Sequence, residues 1–293
     1  MRKLRGTGVA LVTPFNEDGS IDFKSLKKLL DHTAKGVDYY VVMGTTGESV
    51  TLSQAEKAIV LDFVKKNNNA KLPIVYGIGG NNTAAVLEEI EHTNLRGVAA
   101  LLSVSPYYNK PSQTGIYNHF KKVADKSPVP VILYNVPGRT GSNMSYSTTL
   151  KLAAHKNICG IKEASGNVEQ AMMIAAGMPK DFLLISGDDI ITTALYSIGA
   201  SGVISVLANA YPQIFNKMKT YAFAGNYSKA SKEAFKLLEI NPLMYQEGNP
   251  AGIKHVLQEM GICKDYVREP LAMVSKSLAK NIEAAHAAVI KKG

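Results

Sequence analysis

The chain has 293 residues, 46 % of them hydrophobic and 19 % charged, with a net charge of +9. That balance belongs to a soluble globular protein able to bury a large core in one or two domains. No apolar run is long enough to span a bilayer, no apolar segment follows the basic start as in a secretory signal, and the lysines (Lys24, Lys27 and Lys28; Lys65 and Lys66) are spread over helix faces, so membrane, secreted and nucleic-acid-binding classes are not expected.

In chain order, strands alternate with helices. Gly8 to Pro14 reads as a first strand and Asp22 to Lys35 as a helix with Leu26, Leu29 and Leu30 on one face. Tyr39 to Gly44 is the second strand. Ser53, with Glu56 three residues on, is a capping box that opens a helix to about Lys66. Further strands are Pro73 to Gly77, Gly97 to Val104, Val129 to Tyr134, the segment from Ile158, Phe182 to Ser186, and Gly202 to Val206. Helices fall near Thr83 to Thr93, Gly115 to Lys126, Ser147 to His155, Val168 to Ala176, Ile190 to Ile198 and Pro212 to Ala224. Eight cycles predict an α/β fold of the (β/α)8 TIM-barrel type over residues 1–225. A doubly wound sheet is the competitor, but it normally has fewer cycles and a glycine-rich loop after its first strand. Beyond Gly225 the alternation stops. Tyr227 to Ile240, Ala251 to Met260 and Leu271 to Ile290 read as helices, so residues 226–293 are expected to form a C-terminal helical domain.

In such a barrel the site lies at the C-terminal ends of the strands. The sixth strand, Ile158-Cys-Gly-Ile-Lys162-Glu163, places a lysine there. Burying an ammonium is costly, so a lysine in such a place is either paired, as with Glu163, turned to solvent, or a neutral amine able to attack a carbonyl and form a Schiff base. The other strand ends supply Thr45 and Thr46 in Gly44-Thr-Thr-Gly-Glu48, the pair Tyr107 and Tyr108, Tyr134, Arg139, Gly187-Asp-Asp189 and Ile204. Hydroxyls and backbone N–H groups suit a carboxylate, a phenol suits proton movement, and a guanidinium suits a second carboxylate. Each also has a plainer use: a turn, a packed aromatic, a surface ion pair, a helix cap. The six histidines lack metal-site spacing, so no metal is expected. Cys159 and Cys263 are expected as free thiols in a reducing cytoplasm.

Three stretches, Gly44-Thr-Thr-Gly-Glu48, Tyr134-Asn-Val-Pro-Gly-Arg-Thr-Gly141 and Gly160-Ile-Lys-Glu-Ala164, resemble the signature motifs of the dihydrodipicolinate synthase family. That family sits in the pyruvate-dependent class I aldolase superfamily, which also contains N-acetylneuraminate lyase. The resemblance covers essentially the whole chain. It implies condensation of pyruvate with L-aspartate 4-semialdehyde in diaminopimelate and lysine biosynthesis, with no cofactor beyond the covalent imine. It implies that Lys162 forms that imine, that Thr45, Tyr134 and Tyr108 relay protons, and that Thr46 binds the pyruvate carboxylate. It further implies that Arg139 holds the second substrate's carboxylate, and that Gly187 and Ile204 lend backbone groups. A homotetramer built as a dimer of dimers is implied, with Tyr107 reaching across the tight interface. Arg139 favours the synthase over the sialic-acid lyase branch, which does not usually carry it. Another pyruvate aldolase, or a barrel that has lost catalysis, are the competing readings. Ser49, Asn81 and Tyr107 match the family's lysine-effector site, but Lys57 and Ala85 stand where a histidine and a glutamate are usual. Weak or absent feedback by lysine is therefore expected.

Overall fold

The structure, a computed structural model, describes residues 2–292. Its centre is a closed parallel barrel whose eight strands follow sequence order. They are β1 (Gly6–Ala10), β2 (Tyr39–Val42), β3 (Ile74–Gly77), β4 (Ala100–Val104), β5 (Val131–Asn135), β6 (Ile158–Glu163), β7 (Leu183–Ser186) and β8 (Gly202–Ser205). The last pairs with the first, Gly202 beside Gly6. A Cβ on Gly202 would lie 2.1 Å from the Gly6 carbonyl oxygen, so closure there needs glycine.

Helices follow the strands on the outside: α1 (Phe23–Thr33), α2 (Gln54–Asn67), α3 (Thr83–His92), α4 (Gln113–Lys126), the short α5 (Pro137–Thr140) with α6 (Tyr146–Ala153), α7 (Val168–Gly177), α8 (Thr192–Ser197) and α9 (Pro212–Phe223). The Ser53–Glu56 capping box is present in both directions. Side chains alternate along each strand, which divides the apolar residues into two cores. One fills the barrel and includes Val41, Leu102, Ile132, Tyr134 and Ile204. The other, including Val42, Leu101, Leu133 and Ile161, packs the helices onto the barrel wall. Cys159 and Cys263 are both free and buried, and burial pushes each thiol up to about 12.

Three helices follow: α10 (Tyr227–Phe235), α11 (Ala251–Glu259) and α12 (Lys276–Lys292). Two begin or end elsewhere than periodicity predicts. After Phe235 the hydrogen bonds tighten, with Leu237 N–H on the Ala234 carbonyl and Leu238 N–H on that of Phe235, so Lys236 to Ile240 are turns rather than helix. Leu271 to Ser275 are outside the last helix, because Ser275 Oγ accepts the Leu278 N–H at 3.2 Å and caps it. Apolar residues at Leu271 and Met273 extend the pattern backwards past the real start. Among the described residues no helix is long and apolar enough to cross a membrane.

A buried ion pair ties this C-terminal stretch to the loop after β2. Glu48 has a left-handed φ of 54° and is 2 % exposed. Its carboxylate accepts from Lys254 Nζ at 2.5 Å and from the Arg268 N–H at 3.0 Å. Lys254 is fully buried, donates also to the Tyr266 carbonyl at 2.7 Å, and lies 4.2 Å from the centre of the Phe15 ring. Burial pulls its ammonium below the ordinary value, and Glu48 opposes that. Arg268 in turn grips Glu56, which it holds down to about 2. Removing one member strands the other charge in apolar surroundings, so Lys254→Met is expected to cost about 3–5 kcal/mol in chemical denaturation. Adding Glu48→Gln should recover much of that loss. A single-variant loss under about 1 kcal/mol contradicts the account.

Candidate active site

Strand geometry decides where the lysine goes. On β6, Lys162 and Glu163 point to opposite faces. Glu163 faces outward, where its carboxylate accepts from Asn135 Nδ2 at 3.0 Å, Gln170 Nε2 at 2.9 Å and the Ser165 N–H at 2.7 Å. It is therefore not the partner of Lys162. Lys162 faces into the barrel mouth, 6 % exposed, and among the described residues no carboxylate lies within ion-pair distance of it. Tyr134 is paired with it across β5 and β6, with Nζ 4.4 Å from the ring centre.

Lys162 opens into a cavity of about 460 Å³ lined by Thr45, Thr46, Tyr134, Arg139, Gly187 and Asp188, among others. The threonines sit in a 3-10 turn directly after β2. Arg139 is carried by α5, a helix too short to be read from periodicity, and among the described residues it makes no ion pair. Its guanidinium is thus available to a ligand. Gly187 approaches β6 closely: its N–H donates to the Glu163 carbonyl at 2.8 Å, and a Cβ would fall 2.5 Å from that of Ala164. Ile204 does not line the cavity. It packs inside the barrel, and Val206 takes the lining position.

Asp188 and Asp189 behave differently. Asp188 Oδ1 accepts the Ile190 N–H at 3.0 Å, a local turn bond. Asp189 reaches across to the loop after β8 and accepts the N–H groups of Val206 and Leu207 at 3.2 and 2.9 Å. It therefore caps the turn after the eighth strand rather than the helix after the seventh. Burial pushes its carboxyl up to about 6, opposed by the Leu207 N–H, the Ser205 hydroxyl and Lys162 and helped by the Asp188 charge.

The rest of the lining comes from the C-terminal stretch: Asn241, Tyr245, Gly248 and Asn249. Asn249 donates to Thr46 Oγ1 at 3.1 Å, which orients that hydroxyl. Burial of the Tyr245 hydroxyl, then the charges of Asp189 and Asp188, raise it well above the ordinary phenol range. It stays a protonated donor at the cavity wall. Sequence reasoning missed these residues; their only local signal is the Asn-Pro punctuation at Asn241 and Asn249.

The tyrosine pair after β4 divides. Tyr107 lines a second cavity of about 250 Å³ with Ser49, Lys57 and Glu89, adjoining the first through Thr45, Tyr134 and Arg139. Tyr108 has φ 76° and is 81 % exposed, so a single chain does not bring it to Lys162. The more exposed of the pair in a single chain is thus Tyr108. Asn81 is exposed and lies outside the lining of that cavity. Lys57 Nζ lies 3.4 Å from Glu89 Oε1, an acidic residue not anticipated there.

A parallel eight-stranded barrel with an unpaired lysine buried at the mouth of its sixth strand is the architecture of a class I aldolase-type lyase. The model of the dihydrodipicolinate synthetase family matches residues 3–289, and the chain belongs to that family. A 4-hydroxy-tetrahydrodipicolinate synthase of Cytophaga hutchinsonii is 49 % identical over 292 residues, covering 99 % of this chain and 98 % of that one. The chloride-inhibited dihydrodipicolinate synthase of Acinetobacter baumannii, solved with pyruvate, superposes with a TM-score of 0.94 at 36 % identity, covering 98 % and 99 %. A monomeric dihydrodipicolinate synthase variant superposes with a TM-score of 0.95 at 32 % identity, covering 98 % and 97 %.

Proposed function

We propose that this chain carries out the 4-hydroxy-tetrahydrodipicolinate synthase reaction, joining pyruvate to L-aspartate 4-semialdehyde through an imine on Lys162. The observation that carries this is the buried, unpaired Lys162 beside Tyr134, sharing one cavity with the two threonines and a free guanidinium. The Lys162 amine attacks C2 of pyruvate, and loss of water from the carbinolamine leaves the imine. Loss of a proton from C3 gives the enamine, whose C3 attacks the aldehyde carbon of the second substrate. The amino group of that substrate then displaces Lys162 from C2 and closes the ring. Tyr134 is within reach to take and return the protons these steps move, and Thr45 borders the same cavity. Thr46, oriented by Asn249, is suited to one substrate carboxylate and Arg139 to the other. Gly187 contributes backbone, and Ile204 supports the cavity from beneath by packing inside the barrel.

Tyr108 can serve a relay only if a second copy presents it, which is how we read its exposure. A dimer of dimers is part of this proposal. Residues 226–293 are read as a helical unit that closes the cavity mouth, and a cytoplasmic location as suiting two free thiols.

Turnover with pyruvate and L-aspartate 4-semialdehyde, coupled to reduction of the product, tests the reading against a panel of sugar-derived aldehydes. Preference for a sugar aldehyde moves the chain to another branch of pyruvate aldolases. For regulation, Lys57 places a cation against any cationic effector near Ser49 and Tyr107, while Glu89 offsets part of it. Ala85 supplies no carboxylate. Lysine in the submillimolar range (about 0.5 mM) is expected to leave activity largely unchanged, and half-inhibition there contradicts this.

A further inference from the structure

Away from the barrel mouth, the last two helices bring a histidine and two glutamates together. His255 and Glu259 lie one turn apart on α11, and Glu283 faces them from α12. One ligand atom from each lies within 4.8 Å of the other two. His255 is 6 % exposed, and its Nδ1 is 2.9 Å from Asp265 Oδ2. Its Nε2 is buried with no hydrogen-bond partner, 3.6 Å from Glu283 Oε1. That separation is too long for a hydrogen bond.

Asp265 can only accept, so the ring donates to it from Nδ1, while Nε2 is left without a hydrogen bond 3.6 Å from Glu283. A buried ring nitrogen left without a partner is costly. A cation satisfies it. A carboxylate behind Nδ1 is also the usual support of a metal-bound histidine. Glu259 is the last residue of its helix, where the dipole disfavours a carboxylate and favours positive charge. His286, near Glu259, is occupied: its Nδ1 bonds the Tyr211 hydroxyl at 2.7 Å.

We propose that His255 Nε2, Glu259 and Glu283 form a site for a divalent first-row transition cation, completed by water. One imidazole and two carboxylates, with no thiolate, suit Zn²⁺, Co²⁺ or Mn²⁺. Metal–ligand bonds of about 2.0–2.2 Å require the three atoms to draw closer than they now stand. Both glutamates are exposed and free to swing inward. The ion would clamp α12 onto α11, whose neighbouring Lys254 holds Glu48. Binding to the folded chain alone raises its stability by mass action.

The test is calorimetric titration of the full, chelator-treated protein with Zn²⁺, with Co²⁺ visible absorption as a second readout. The expected result is one saturable Zn²⁺ per chain, a higher unfolding temperature with Zn²⁺, and loss of both in Glu259→Gln and Glu283→Gln. Those positions are on the surface, so the variants keep the fold. Asp265→Asn is expected to weaken binding by roughly 10- to 100-fold. Absence of saturable binding, or affinity unchanged in both glutamate variants, overturns the site.

Discussion

Lys162→Ala is expected to lose turnover by roughly 10⁴-fold or more, because it removes the one amine that lines the cavity among the described residues and can form an imine with the substrate ketone. The other lining groups can bind and move protons, but none of them supplies that bond. The fold should survive. Lys162 makes no ion pair among the described residues, so its removal strands no charge, and the cavity it opens into is already present. The measurements are steady-state turnover alongside circular dichroism and an unfolding temperature. Turnover within about ten-fold of the parent contradicts the assignment.

Tyr134→Phe is expected to slow turnover by roughly 10²–10⁴, the usual worth of a positioned acid–base group. The ring is held by the register of β5 against β6 and is 7 % exposed, so phenylalanine keeps the packing and removes only the hydroxyl. The loss should fall mainly on kcat, since the hydroxyl acts on protons in transit and Thr46 and Arg139 are left to hold the carboxylates. An increase in KM alone makes Tyr134 a binding residue; a near-parental kcat removes it from the relay.

The fold was legible because each strand–helix cycle is a local pattern of apolar residues and punctuation, and eight cycles leave few architectures open. The lysine, Tyr134 and the threonines were legible for the same reason: they fall at strand ends, and strand ends converge. Glu48 lies within a legible motif, yet its work is structural and depends on Lys254, 206 positions away. Asn249 and Tyr245 were not legible as site residues, because their place in the cavity is set by how the C-terminal stretch folds back over the mouth. Periodicity failed at Lys236 to Ile240 and at Leu271 to Ser275, where apolar spacing persists but hydrogen bonds and a serine cap end the helix. The division between Tyr107 and Tyr108 also lies beyond spacing, since one positive φ turns adjacent side chains to different surroundings.

The most direct test of the account is reduction with borohydride in the presence of pyruvate, followed by intact mass and peptide mapping. The account predicts one reduced pyruvate adduct per chain, on the peptide containing Lys162 and absent from Lys162→Ala. No adduct, or an adduct on another lysine, contradicts it.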